Sequence, residues 1–185
     1  MAKNALLLDL DGTVREPRSG QKFINVPTDQ QLMEGVAAAI ERYVEAGWAL
    51  YGVTNQGGVI AGHKSLQSML AEQLITMELC PALEAVFFCP DWGDSYYVVY
   101  KNGEIVAFDG KKDPQVYCAG QFRKPQAGML KLALHHHAAR IEGIGKVMMV
   151  GDRPEDKEAA QNAEVPFLDA SEWRKGYGKA SKSEV

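Results

Sequence analysis

The sequence predicts an α/β fold: an open parallel sheet flanked by helices in three layers (α/β/α), with a small antiparallel β-hairpin set into it and no large cap domain. Three observations carry that prediction. Short apolar runs alternate with amphipathic stretches, β-α-β-α-β over residues 6–88, and such alternation calls for parallel strands joined by right-handed crossovers. Three of the runs end in polar residues, at Asp9/Asp11, Thr54/Asn55 and Asp152. The pattern breaks once, where residues 96–100 and 105–108 flank Lys101-Asn102-Gly103-Glu104, and an Asn-Gly turn between such runs is a strong hairpin signal.

The first strand, Leu6-Leu7-Leu8, is delivered into Asp9-Leu10-Asp11-Gly12-Thr13. A short apolar run that stops at carboxylates reads as a buried parallel strand meeting a polar rim. Side chains two apart on a strand share a side, so Asp9 and Asp11 are expected to face one site. Their mutual repulsion calls for a cation between them or a proton on one. Gly12 suits a turn directly after the second acid. The polar loop 15–22 brings Arg15, Arg18 and Lys22 near the pair. For any one of them a solvated position is the simpler reading; as a group they are candidate substrate-specificity residues. Thr28-Asp29-Gln30-Gln31 matches a capping box. The helix it opens carries Leu32, Val36, Ala39, Ile40, Tyr43 and Val44 on one stripe, with Gly47 as its stop.

Residues 48–53 read as the second strand, ending at Thr54-Asn55-Gln56-Gly57-Gly58. A helix over about 64–78 follows, ended by Pro81, and then a third strand at 85–88. The hairpin, about 95–109, comes straight after a strand end, which places it over the carboxyl edge of the sheet. A surface elaboration and a small lid or specificity flap are both open. Beyond Gln121-Phe122-Arg123-Lys124-Pro125 the alternation resumes with a helix from 127 to about 136 and a strand at 147–150 running into Gly151-Asp152. Pro154 sits in the first turn of the next helix, with Glu155 and Asp156 favourable to its dipole. Phe167-Leu168 gives a short strand, and Ser171 is expected to cap a last turn. Residues 1–176 read as one domain without repeats, and 177–185 as a basic tail expected to fray.

Composition narrows the function classes. The chain has 185 residues, 46% hydrophobic and 24% charged, enough for one domain with a real core. No apolar run approaches the roughly 20 residues of a membrane span. The N-terminus passes straight into a strand, so no signal peptide is expected. Cys80, Cys89 and Cys118 are an odd set without a C-x-x-C pair, and a cytoplasmic setting is expected. A net charge of −4 speaks against a large nucleic-acid footprint. Two decoys are set aside. Residues 57–65 nearly spell a phosphate-binding P-loop, but His63 separates Gly62 from Lys64. His135, His136 and His137 are consecutive, and consecutive helical side chains diverge.

Ligands of open α/β sheets bind outside the carboxyl ends of the strands. The inventory there is Asp9, Asp11 and Asp152, then Thr54 with Asn55, then Arg123 and Lys124. Hard oxygen donors without His or Cys suit Mg²⁺ together with a phosphate oxygen. Lys124 and Thr54 complement a phosphate with charge and a hydroxyl donor.

These residues also resemble a known family. Asp9-Leu10-Asp11-Gly12-Thr13, Thr54, Lys124 and Gly151-Asp152-Arg153-Pro154-Glu155-Asp156, in that order over residues 9–156, resemble the four motifs of the haloacid dehalogenase superfamily of phosphatases, subclass III. The resemblance implies a Rossmann-like sheet, a phosphoric monoester hydrolase and a Mg²⁺ cofactor. It makes Asp9 the nucleophile that forms an aspartyl-phosphate, and Asp11 the acid and base. Thr54, Asn55 and Lys124 bind the phosphoryl group. Asp9, the Asp11 backbone carbonyl and Asp152 hold the metal, with Asp156 and Arg123 in support. Within the superfamily, the stretches at 54–58, 123–129 and 151–156 look like the group of histidinol-phosphate, heptose bisphosphate and polynucleotide 3'-phosphatases. Cys89 and Cys118 lack the histidine of that group's zinc loop, so no zinc is expected. The favoured substrate is a small sugar or polyol phosphate. Residues 11–23 are similar to the opening of polynucleotide 3'-phosphatases, which keeps a nucleic-acid 3'-phosphate as an alternative that is not favoured. A catalytically silent phospho-ligand binder predicts damage to the acids or the lysine, and none is present.

Overall fold

The computed structural model describes residues 3–109, 121–140 and 143–176. Its centre is a seven-stranded sheet in the order β7-β6-β5-β4-β1-β8-β9. The strands are β1 (Lys3–Leu8), β4 (Ala49–Asn55), β5 (Leu83–Cys89), β6 (Ser95–Tyr100), β7 (Ile105–Asp109), β8 (Ile144–Gly151) and β9 (Phe167–Asp169). Strands β5, β4, β1, β8 and β9 are mutually parallel. β2 (Arg15–Glu16) and β3 (Gln31–Leu32) form a separate antiparallel pair.

Alternation along β1 shows how the layers arise. Ala5 and Leu7 pack on one face with Tyr51, Phe87, Met129 and Leu130. Leu6 and Leu8 pack on the other with Leu50, Val36, Ile40, Tyr43 and Trp173. Both faces are covered, so the strand is apolar throughout. Helices α3 (Gly128–Ala138) and α4 (Pro154–Asn162) cover the first face, and α1 (Val36–Glu45) with α5 (Ala170–Arg174) the second. Helix α2 (Leu66–Leu79) closes that second face over Met69, Phe88 and Val99. Each fully buried aliphatic side chain of this kind contributes about 1.5–3 kcal/mol. Among the described residues no helix is long and apolar enough to cross a membrane.

Three local expectations are corrected. The Thr28–Gln31 capping box does not form: α1 starts later, behind Gly35 at φ 83° with no side-chain cap. Of the two side chains it needs, Gln31 donates instead to Glu16 Oε1 at 3.2 Å, and the two residues between them are engaged as well. Asp29 accepts from the Ser19 backbone N–H and hydroxyl, and Gln30 is buried against Arg15 and Thr76. Gln31 and Leu32 pair with Glu16 and Arg15 instead. At α5 the cap is Asp169, whose carboxylate accepts from the backbone N–H groups of Ser171 and Glu172. An ionised oxygen outcompetes the Ser171 hydroxyl, which itself donates to Asp169.

The hairpin is the third. β6 pairs antiparallel with β5 and β7 extends the same sheet. The hairpin therefore runs back from the carboxyl edge, and Lys101 N–H donates to Glu84 O at the start of β5. Its turn lies at the opposite end of the sheet from the polar strand ends, so the hairpin turn is an edge elaboration and not a flap over them. Cys118 and the basic tail lie outside the described residues.

Candidate active site

The site begins where β1 stops. Asp9 N–H still bonds to Val150 O at 2.9 Å, but the Leu10 carbonyl then accepts from the N–H groups of Thr13, Val14 and Arg15. The chain thus folds back around Gly12, at φ 91°. A Cβ at Gly12 would also lie 2.5 Å from Asp152 Oδ2, so both backbone and space demand glycine.

The turn sends the first two acids to different partners. Asp9, only 6% exposed, accepts from Lys124 Nζ at 2.6 Å and from the Thr13 hydroxyl at 3.1 Å. Lys124 Nζ also meets Asp156 Oδ1 at 2.6 Å and donates to Val53 O at 2.8 Å. Asp11 instead accepts from Arg15 Nε at 2.9 Å and Gln56 Nε2 at 2.7 Å, with the Thr54 hydroxyl at 3.5 Å. Of the protein's own cations, each acid has a separate one, Lys124 at Asp9 and Arg15 at Asp11. The strand ends at Leu8, so strand alternation no longer governs Asp11.

The lysine is held through its backbone. Asn55 Oδ1 accepts from Lys124 N–H and Asn55 Nδ2 donates to Lys124 O, both at 2.9 Å. Asn55 thus ties the end of β4 to the lysine loop through both ends of its amide. Asp156 is fixed by α4, where Arg153 N–H donates to its Oδ2 at 3.1 Å. Oxygens of Asp9, Asp152 and Asp156 lie within 4.8 Å of one another. Gly151 lets Asp156 come in, since a Cβ there would sit 2.4 Å from Asp156 Cβ. Gly151→Ala is therefore expected to push Asp156 off Lys124 and lower stability by about 1–3 kcal/mol, with a parallel fall in turnover, checked by thermal unfolding and steady-state kinetics.

The electrostatics follow from burial and pairing. Burial pushes the Asp9 carboxyl up to about 7, against the pull of Lys124, with Asp156 and Asp11 adding to the rise. Burial would discharge Lys124, but Asp9 and Asp156 outweigh it and hold its pKa above the ordinary value. At Asp11 burial is outweighed by Arg15 and by the Arg15 and Gln56 hydrogen bonds, and the carboxyl lies below its usual range. Burial raises Asp152, with Arg153 opposing.

Of the specificity candidates, Arg15 is relocated outright. It is fully buried, with Nη2 on Glu72 Oε1 at 2.8 Å and Nη1 on Gln30 Oε1 and the Thr76 hydroxyl. It has no surface from which to meet a substrate. Arg18 and Lys22 are exposed; Arg18 Nη2 donates to Gln30 O, and Lys22 lies over the Phe23 ring. Arg123 lines the rim, donating to Asp91 O at 3.3 Å and stacking 5.3 Å from the exposed Trp92 ring. Sequence reasoning missed Thr13, Gln56, Lys64 and Glu72 as members of the site. Glu72 carried a signal: it falls in the buried stripe of α2 with Met69 and Thr76, and an acid there needs a partner.

Known proteins resemble this chain over most of its length. The model of the polynucleotide kinase 3 phosphatase family matches residues 4–171. The chain belongs to that family, and it is a phosphatase of the haloacid dehalogenase superfamily. It is 29% identical over 168 residues to the D-glycero-D-manno-heptose-1,7-bisphosphate 7-phosphatase of Thermosynechococcus vestitus, covering 88% of this chain and 76% of that one. It is 30% identical over 170 residues to the D-glycero-beta-D-manno-heptose-1,7-bisphosphate 7-phosphatase of Haemophilus ducreyi, covering 89% and 81%. The D,D-heptose 1,7-bisphosphate phosphatase of B. bronchiseptica, crystallised with magnesium and phosphate, shares the fold at a TM-score of 0.60 and 23% identity, over 90% of this chain and 78% of that one.

Proposed function

We propose that this phosphatase hydrolyses a small sugar or polyol phosphate with Mg²⁺, through an aspartyl-phosphate on Asp9. The observation that carries the reading is Asp9 itself, a buried carboxylate pinned between the Lys124 ammonium and the Thr13 hydroxyl. A carboxylate approaches an anionic phosphoryl group only where cations offset the repulsion. The donor set fits the metal: Asp9, Asp152 and Asp156 offer hard oxygens, and Lys124 alone leaves them with excess negative charge. Asp9 and Asp152, with the Asp11 backbone carbonyl, would hold Mg²⁺, and Asp156 would support them. When bound, the ion supplies charge that draws the phosphoryl oxygens toward Asp9.

The chain's own residues do the rest. Asp9 Oδ forms a bond to phosphorus as the ester P–O bond breaks; Asp11, which Arg15 and Gln56 hold ionised before substrate binds, takes the proton of a phosphate monoanion and delivers it to the leaving oxygen. Water then attacks phosphorus, Asp11 takes up its proton, and Asp9 is released. Lys124 and Thr54 hold the phosphoryl oxygens throughout, and Asn55 keeps Lys124 in place.

The relatives named above act on a heptose bisphosphate, which supports a sugar phosphate. A match to a 3'-phosphatase family supports a second reading, a 3'-phosphorylated nucleic acid. A panel of sugar mono- and bisphosphates, polyol phosphates and a 3'-phosphorylated oligonucleotide separates them by kcat/KM. The first reading expects the best sugar phosphate to lead by at least about 10²-fold, the scale of binding discrimination, with turnover lost in EDTA and restored by Mg²⁺. A lead of that size for the oligonucleotide would overturn the substrate assignment.

A further inference from the structure

Behind Asp11 lies a buried ionic chain that the proposed reaction does not use directly. Arg15 is fully buried and Glu72 is 1% exposed. All three guanidinium nitrogens are engaged: Nε on Asp11, Nη1 on Gln30 and Thr76, Nη2 on Glu72 and at 3.4 Å on Asp11. The second Glu72 oxygen accepts from Lys64 Nζ at 2.6 Å. One carboxylate on α2 therefore anchors both the segment after β1 and the segment leading into α2. On its far side Asp11 is gripped by Gln56 Nε2 at 2.7 Å, while its side chain keeps about a third of its surface open, 35%.

A buried ion pair is a poor stability device compared with apolar packing, and its better-attested use is to specify geometry. Here the geometry specified is that of one carboxylate. The Arg15 fork meets it along one edge, and the fork cannot swing because Glu72, Gln30 and Thr76 hold its other nitrogens. We infer that Arg15, held by Glu72, is the positioning residue that aims the Asp11 carboxyl at the leaving oxygen. This rests on Asp11 being the acid of the proposed reaction. The competing role is purely structural, a tie between α2 and the β1 loop.

The two roles part on leaving-group dependence. A 4-nitrophenolate leaves without a proton, whereas an alkoxide needs one. The kcat/KM value reports events only up to the first irreversible phosphoryl transfer, so it excludes the later water step. For Arg15→Lys, which loses the planar fork, kcat/KM on an alkyl phosphate is expected to fall about 10- to 100-fold, the scale of a misplaced catalytic group. On 4-nitrophenyl phosphate it should stay within about 3-fold, since that substrate does not draw on the acid. Glu72→Gln, which keeps the side chain's volume, and Thr76→Val, which removes one partner of Arg15, should shift the same ratio in the same direction and read it even where Arg15→Lys fails to fold. Asp11→Asn alone should show the selectivity more strongly, and Arg15→Lys added to it should change the ratio no further. Equal losses on both substrates in the Arg15, Glu72 and Thr76 variants, with Asp11→Asn still selective, would overturn the positioning role and leave the mechanism standing. Equal losses in Asp11→Asn would remove the acid role and the inference with it.

Discussion

Asp9→Asn is expected to abolish phosphatase turnover, by about 10⁴-fold or more, as removal of a nucleophile does elsewhere. The amide is isosteric: its oxygen can still accept from Lys124 and its NH2 can donate to the Thr13 hydroxyl in place of the bond that Asp9 Oδ2 accepted, so the loss would be one of chemistry and not of shape. Stability should move the other way. Folding raises the Asp9 pKa from 3.8 to about 7, with burial the largest cause. A carboxyl raised on folding favours the native state below its unfolded pKa, and that contribution is lost as pH climbs through the folded one. The wild type, stripped of metal with EDTA, should therefore lose stability between about pH 4 and pH 7 at this site. Asp9→Asn should lack that component and be at least as stable at neutral pH. Kinetics on an aryl phosphate and thermal unfolding across pH check the two halves separately.

Lys124→Met is expected to be the most damaging single change to the site. The ammonium is the shared partner of Asp9 and Asp156, both buried. Removing one partner of a buried pair leaves an uncompensated charge and costs roughly 3–5 kcal/mol. In a domain of this size that corresponds to a fall of about 6–20 °C in Tm. Turnover should drop by about 10³-fold, because a donor aimed at the phosphoryl group goes with it. Adding Asp156→Asn to Lys124→Met should recover part of the stability and none of the activity, which separates the electrostatic from the catalytic consequence. A Lys124→Met protein with unchanged Tm would mean that the carboxylates are already neutral.

Residues whose partners are dictated locally were legible in the sequence. The apolar runs at 6–8, 85–88 and 147–150 foretell β1, β5 and β8 because a strand buried on both faces has little choice of side chain. Pro154 and the acids after it mark the start of α4 in the same way. Partners contributed from afar were not legible. Arg15 reads as one more charge in a polar loop, and only the fold supplies Glu72, 57 residues along the chain. Asn55 reads as a phosphate donor until the lysine loop, 69 residues on, claims both ends of its amide. The capping box failed for the same reason: Gln31 is taken by Glu16, with which it pairs in the β2–β3 ladder and to whose carboxylate its side chain donates. The Asn-Gly hairpin was visible, but its place was not, because register against β5 decides which end of the sheet its turn reaches.

The central claim is that Asp9 carries the phosphoryl group, and trapping the intermediate tests it most directly. Borohydride reduces an acyl phosphate to an alcohol, so enzyme quenched during turnover should carry homoserine in place of Asp9, found by peptide mass spectrometry. The account predicts that conversion at residue 9, dependent on substrate and absent from Asp9→Asn. Substrate-dependent conversion at another carboxylate, or an Asp9 left intact in enzyme that is turning over, would contradict it.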